Sequence, residues 1–121
     1  MKNKQLTNAY IALTRMGNMQ FPLPVTYKLF VLRNKFKESF DFYAEQEAAI
    51  MERNGGQKTY DGIYHFENEE TTKAVYEQIK ELNDMEVEIA YTPVEVTMTS
   101  AATGVLSMND IEALDGIVVF K

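Results

Sequence analysis

The chain has one histidine, His65, and no cysteine, and its 18 Asp and Glu outnumber its 12 Lys and Arg. With a single imidazole, no two-histidine metal site can form within the chain, and any Ser-His-acid triad must pass through His65. Neither serine considered as a partner lies in a nucleophile context. Ser39 falls inside a helical pattern, and Ser107 reads as a helix cap. The lack of Cys excludes thiolate zinc sites, disulfides and cysteine nucleophiles together. Glu67, Glu69 and Glu70, with Asp61 nearby, form the densest carboxylate cluster. Their spacing matches no EF-hand loop, and a helix N-terminus accounts for Glu69 and Glu70 without a cation. Gly55-Gly56 and Gly104 lack both the strand-to-helix context and the companion residues of a phosphate-binding loop. These residues predict no catalytic residue, no metal and no cofactor, so function has to be sought in surfaces and charge.

The charge is divided unevenly. Residues 1–58 hold nine bases and five acids, a balance of +4, whereas residues 59–121 hold three bases and thirteen acids, a balance of -10. The halves can neutralise each other only in part, since the whole chain stays at -6. That balance argues against duplex nucleic acid, whose nonspecific binding depends on Lys and Arg displacing counterions. Glu86, Glu88 and Glu95 fall on the polar side of alternating segments and are the expected acidic face for a basic partner. The seven Phe, seven Tyr and seven Met lie mostly at core spacing, with partner binding as the alternative use of the Met.

The elements that position these groups can be read from periodicity. Leu6, Tyr10, Leu13 and Met16 predict a short amphipathic helix from about Lys4, stopped at Gly17-Asn18. Met19 to Pro24 is held extended by its two prolines and brings Pro24 to the first turn of the next helix. From there Val25, Leu29, Leu32, Phe36, Phe40, Tyr43, Glu47 and Ile50 follow steps of three or four residues as far as Asn54-Gly55-Gly56, which predicts one helix of about 30 residues. Such a helix is about 45 Å long and exceeds the roughly 35 Å diameter of a compact domain of this size. An overhang is therefore expected, with Leu29-Phe30-Val31-Leu32 apolar nearly all round and Phe42 off the main stripe. Phe30, Phe36, Phe40 and Phe42 are the candidate apolar interaction residues, and self-association through the helix is expected.

Thr59 to Tyr64 reads as a tight hairpin around a type I′ Asp61-Gly62 turn. Asn68 reads as the cap of a helix that ends near Asn83 and buries Val75, Ile79 and Leu82. Met85 to Tyr91 and Val94 to Met98 alternate as half-buried strands joined at Thr92-Pro93, or as one strand bent at Pro93. After a small-residue loop from Thr99 to Gly104, Ser107 and Asp110 form a capping box for a short helix ending at Gly116, and Ile117 to Phe120 is β-prone. The expected fold is α+β: a long helix with short helices packed on a small, mainly antiparallel sheet, in a single domain spanning residues 1–121. No apolar run approaches the roughly 20 residues needed to cross a bilayer, and the start MKNKQL is not followed by a signal-peptide core, so an intracellular protein is expected.

The order of a short N-terminal helix, an "FPLPVTYKL" entry, a long helix, "DGIYHF", a Glu-rich helix, "VEI" and "LSMNDIEALDGIV" resembles a group of small uncharacterised proteins from phages and prophages of Gram-positive bacteria. Ile111 stands where that group usually has Leu. The resemblance implies a phage origin and the cytoplasm of a bacterial host, with virion association as the alternative; it implies no activity and no site residue. Together with the lack of catalytic equipment, it leads to the expectation of a non-enzymatic protein that binds a host or phage protein stoichiometrically, first as an inhibitor of a host defence protein. The alternatives are a virion or tail assembly factor and a module sequestering a small nucleotide, for which Arg15, Arg33 and Lys37 are the clustered bases.

Overall fold

The computed structural model describes residues 1–98 and 105–121; the small-residue loop expected from Thr99 to Gly104 lies outside the described residues. The elements are α1 (Asn3–Met16), α2 (Leu23–Arg53), β1 (Gln57–Lys58), β2 (Tyr64–His65), α3 (Glu69–Asp84), β3 (Val94–Val96), α4 (Met108–Ala113) and β4 (Val118–Phe120). The class is α+β, as the periodicity predicts. Among the described residues, however, the strands form two separate pairs rather than one mainly antiparallel sheet: β1 with β2 is antiparallel, and β3 with β4 is parallel, Val94 opposite Val118.

At 31 residues, α2 extends about 46 Å and serves as the spine. Its first half carries the larger core, where Leu29, Leu32 and Phe36 meet Ala9, Leu13 and Met16 of α1, Val94 and Val96 of β3, and Leu114, Ile117 and Val118 from the last segment. Its second half carries a smaller one, in which Ile50 packs with Val75 and Leu82 of α3 and with half-buried Tyr43, Phe66 and Ile79. The expected overhang is thus clothed by α3 and by the end of the hairpin, because the apolar stripe of α3 lies along the distal half of α2.

Several local expectations hold in detail. Asn68 accepts a bond from the Thr71 N–H at the start of α3. Ser107 Oγ accepts from the Asp110 N–H while Asp110 Oδ2 accepts from the Ser107 N–H, closing the capping box of α4. Two expectations do not hold. The hairpin turn is not type I′, which needs positive φ at both central residues. Asp61 does not have it, and Gly62, at +83°, is the only left-handed residue of the loop. The Asp61 carboxylate instead accepts bonds from the Thr59 hydroxyl and the Ile63 N–H, which hold it below the usual carboxylate range. Met85 to Tyr91 keeps the alternation of a strand without forming one. Among the described residues its ladder partner is the chain start: the Asn3 N–H donates to Met85 O, the Val87 N–H donates to Met1 O, and Lys2 bridges Glu86. Buried Asn3 also donates through Nδ2 to Leu82 O at the end of α3. No helix among the described residues is long and apolar enough to cross a membrane.

Candidate functional site

The site follows from the angular arithmetic of α2. At about 100° per residue, Leu29, Leu32, Phe36 and Ile50 fall on one stripe, and all four are buried. Leu23, Tyr27 and Phe30 fall on another, and Phe36, nine residues after Tyr27, lies half a turn round from it. Leu23 is 80%, Tyr27 65% and Phe30 50% exposed. The Tyr27 and Phe30 rings stack with centroids 6.4 Å apart, so the open stripe presents one continuous aromatic surface.

Beside this surface runs a groove of about 600 Å³, walled by Tyr27, Lys28, Val31 and Lys35 of α2 on one side and by Thr92 to Glu95 on the other. The segment leading into β3 forms the second wall because Val94 and Val96 are drawn into the core. Pro93, with no N–H, and the charged Glu95 mark that strand as a guarded edge. A larger cavity of about 840 Å³ lies between α1 and α4, lined by Arg15 and by the acids Asp110, Glu112 and Asp115, and its one guanidinium is taken by Asp110. Arg15 Nη1 donates to Asp110 Oδ1 at 2.5 Å, and Asp110 is buried. The Ser107 N–H and then Arg15 outweigh the burial of this carboxylate and hold it below its ordinary range.

The expected interaction residues part company here. Phe30 is on the open face. Phe36 is corrected to a core residue: it is wholly buried and meets Tyr91 edge to face at 5.4 Å, so it has no surface to offer a partner. Phe40 is half-buried, stacked on Tyr10 of α1 at 4.3 Å and 23°. Phe42 is exposed at 48%, yet twelve residues separate it from Phe30, about 18 Å along the axis, with Lys37 and Asp41 joined in an ion pair between them. Of the three expected acids, two have a basic partner. Glu86 pairs with the Met1 amino group at 3.4 Å, Glu95 pairs with Lys121 at 3.1 Å, and Glu88 is exposed.

The three clustered bases point different ways. Arg15 is tied to Asp110, Lys37 to Asp41, and the Arg33 guanidinium lies beside Gly17 at the end of α1. His65 is exposed on β2. Among the described residues no three His, Asp or Glu side chains gather as a metal site would require. Sequence reasoning missed Leu23 and Tyr27, although the 23, 27, 30 spacing sets them off the buried stripe and was available to find them.

No protein-family model matches the chain, and no curated protein or solved structure matches it either.

Proposed function

We propose that the protein acts by stoichiometric binding of another protein, with the open face of the first half of α2 as its docking surface. The observation that carries this reading is the exposure of Leu23, Tyr27 and Phe30 side by side on a helix whose opposite face is fully used by the core. The exposed parts of the two rings amount to roughly 230 Å², taking about 200 Å² for a whole aromatic residue. Covering that area is worth about 6 kcal/mol before the costs of association. A stable interface needs about 800 Å² per partner, so the patch is the centre of a contact whose rim comes from the groove and its lysines. Aromatic residues in such a centre are the usual hot spots.

The resemblance to phage proteins supports a partner from the bacterial host, and inhibition of a defence protein is the specific role proposed. A heterologous partner is preferred to a second copy, because the ground for self-association through a bare overhang has gone with the packing of α3 on α2. The experiment is co-purification of the tagged full chain from the host that expresses it, in parallel with Tyr27→Asp and Phe30→Asp. A near-equimolar partner recovered with the parent chain and lost with both variants, each keeping the parent circular dichroism spectrum, supports the reading. A partner retained by both variants refutes it.

A further inference from the structure

We infer that the partner of this face is an acidic segment whose carboxylates flank large apolar side chains, an inference that rests on the docking reading above. From Leu23 to Lys37, α2 carries Lys28, Arg33, Lys35 and Lys37 and no Asp or Glu, although the whole chain is at -6. Lys37 is held by Asp41 at 2.8 Å, and Arg33 leans on the end of α1. Lys28 and Lys35 line the groove and, among the described residues, have no carboxylate within 4.0 Å. They are seven residues apart, so they stand on one line of the helix about 10 Å from each other. Val31 lies between them, and Tyr27 borders them. Glu95 on the opposite wall is answered by Lys121.

The groove therefore reads cation, apolar, cation. Its complement is a pair of carboxylates about 10 Å apart with an apolar group between. A second copy docked face to face would set Lys28 and Lys35 against their own images, which is repulsive. Single-stranded nucleic acid could use the Tyr and Lys, but two uncommitted lysines neutralise few phosphates, and the acids elsewhere repel the strand.

The test uses fluorescence anisotropy of the full chain with three labelled probes: a 15-residue peptide with Leu, Phe and Leu at helical spacing and Glu at the flanking positions, the same peptide with Lys for Glu, and a twelve-nucleotide oligothymidylate. At about 0.05 M salt the Glu peptide is expected to bind saturably and at least tenfold more tightly than either other probe. That preference should shrink at about 0.5 M, where the Debye length is near 4 Å. Lys28→Glu/Lys35→Glu should abolish the preference, and Lys28→Gln/Lys35→Gln should reduce it, both with unchanged circular dichroism. Equal binding of the two peptides, tighter binding of the Lys peptide or the oligonucleotide, or no saturable binding of the Glu peptide would overturn the inference. So would a concentration-dependent dimer, seen in sedimentation, that Tyr27→Asp dissolves. If both peptides bind equally and Tyr27→Asp releases both, the docking face stands and only its charge preference fails. Peptide binding indifferent to Tyr27→Asp removes the docking reading as well.

Discussion

Truncating two phenylalanines of one helix, six residues apart, should have opposite consequences. Phe36 is fully buried at the centre of the larger core and touches Tyr91 edge to face, so Phe36→Ala leaves a cavity among α1, α2 and β3. A Phe-to-Ala change in such a place costs about 3–5 kcal/mol. A chain of this length has a total stability of roughly 6–18 kcal/mol, so the loss is a large share of the total, with the melting temperature lowered by roughly 10–20 °C. Phe30 is half-exposed and opposes no core residue, so Phe30→Ala should cost under about 1 kcal/mol. Urea titration followed by far-UV circular dichroism measures both, the slope with denaturant staying constant while the midpoint falls for Phe36→Ala alone. Comparable losses for the two variants, or a larger loss for Phe30→Ala, would refute the assigned rotation of α2 and with it the exposed face.

Three further outcomes follow from the packing. Asp110→Asn removes the charge that pairs with Arg15 and weakens the cap of α4, at a cost of about 1 kcal/mol near neutral pH; because the native carboxyl is held low, its contribution is present above about pH 4 and is lost as pH falls through the folded value, so thermal melts of parent and variant should converge in acid. Gly56→Ala should destabilise by about 1–3 kcal/mol in chemical denaturation, since a Cβ there would come within 2.8 Å of Met51 O and of the Phe66 ring where the hairpin meets α2. Tyr43 donates to Asn83 Oδ1 between α2 and α3, and burial, with the Glu47 carboxylate adding, pushes its phenol up to about 12. Ultraviolet titration should therefore show a late ionisation that Tyr43→Phe lacks, with stability falling as pH rises from 10 towards 12, and the substitution itself should cost about 0.5–1.5 kcal/mol.

What could be read in the sequence was what depends on neighbours along the chain. The buried stripe of α2, the caps at Asn68 and Ser107 and the stop at Asn54-Gly55-Gly56 follow from helical spacing and local hydrogen bonding, and each stands where it was expected. What escaped depends on partners distant in sequence. Met85 to Tyr91 alternates like a strand, but whether it joins a ladder depends on what lies beside it, and the chain start occupies that place. The parallel pairing of β3 with β4 and the Arg15–Asp110 pair likewise join segments with no local signature of each other. The candidate face was half legible. Phe30 was singled out for its apolar surroundings, whereas Phe36 and Phe40 were included although they lie on the core stripe. Tyr27 shares the 23, 27, 30 spacing opposite the buried stripe, a legible pattern that single-residue reading of a basic stretch does not pick out.

The first half of α2 is the place where a partner is proposed to sit. The most direct measurement places a photo-crosslinking benzophenone side chain at position 27, and in a second variant at position 76 on α3, where Tyr76 is 73% exposed and belongs to neither core. After irradiation in the host cell, mass spectrometry of the purified chain should find one adduct of discrete added mass from position 27, absent from position 76 and removed when Phe30→Asp is introduced as well. Equal adducts from both positions, or an adduct from position 76 alone, would contradict the account.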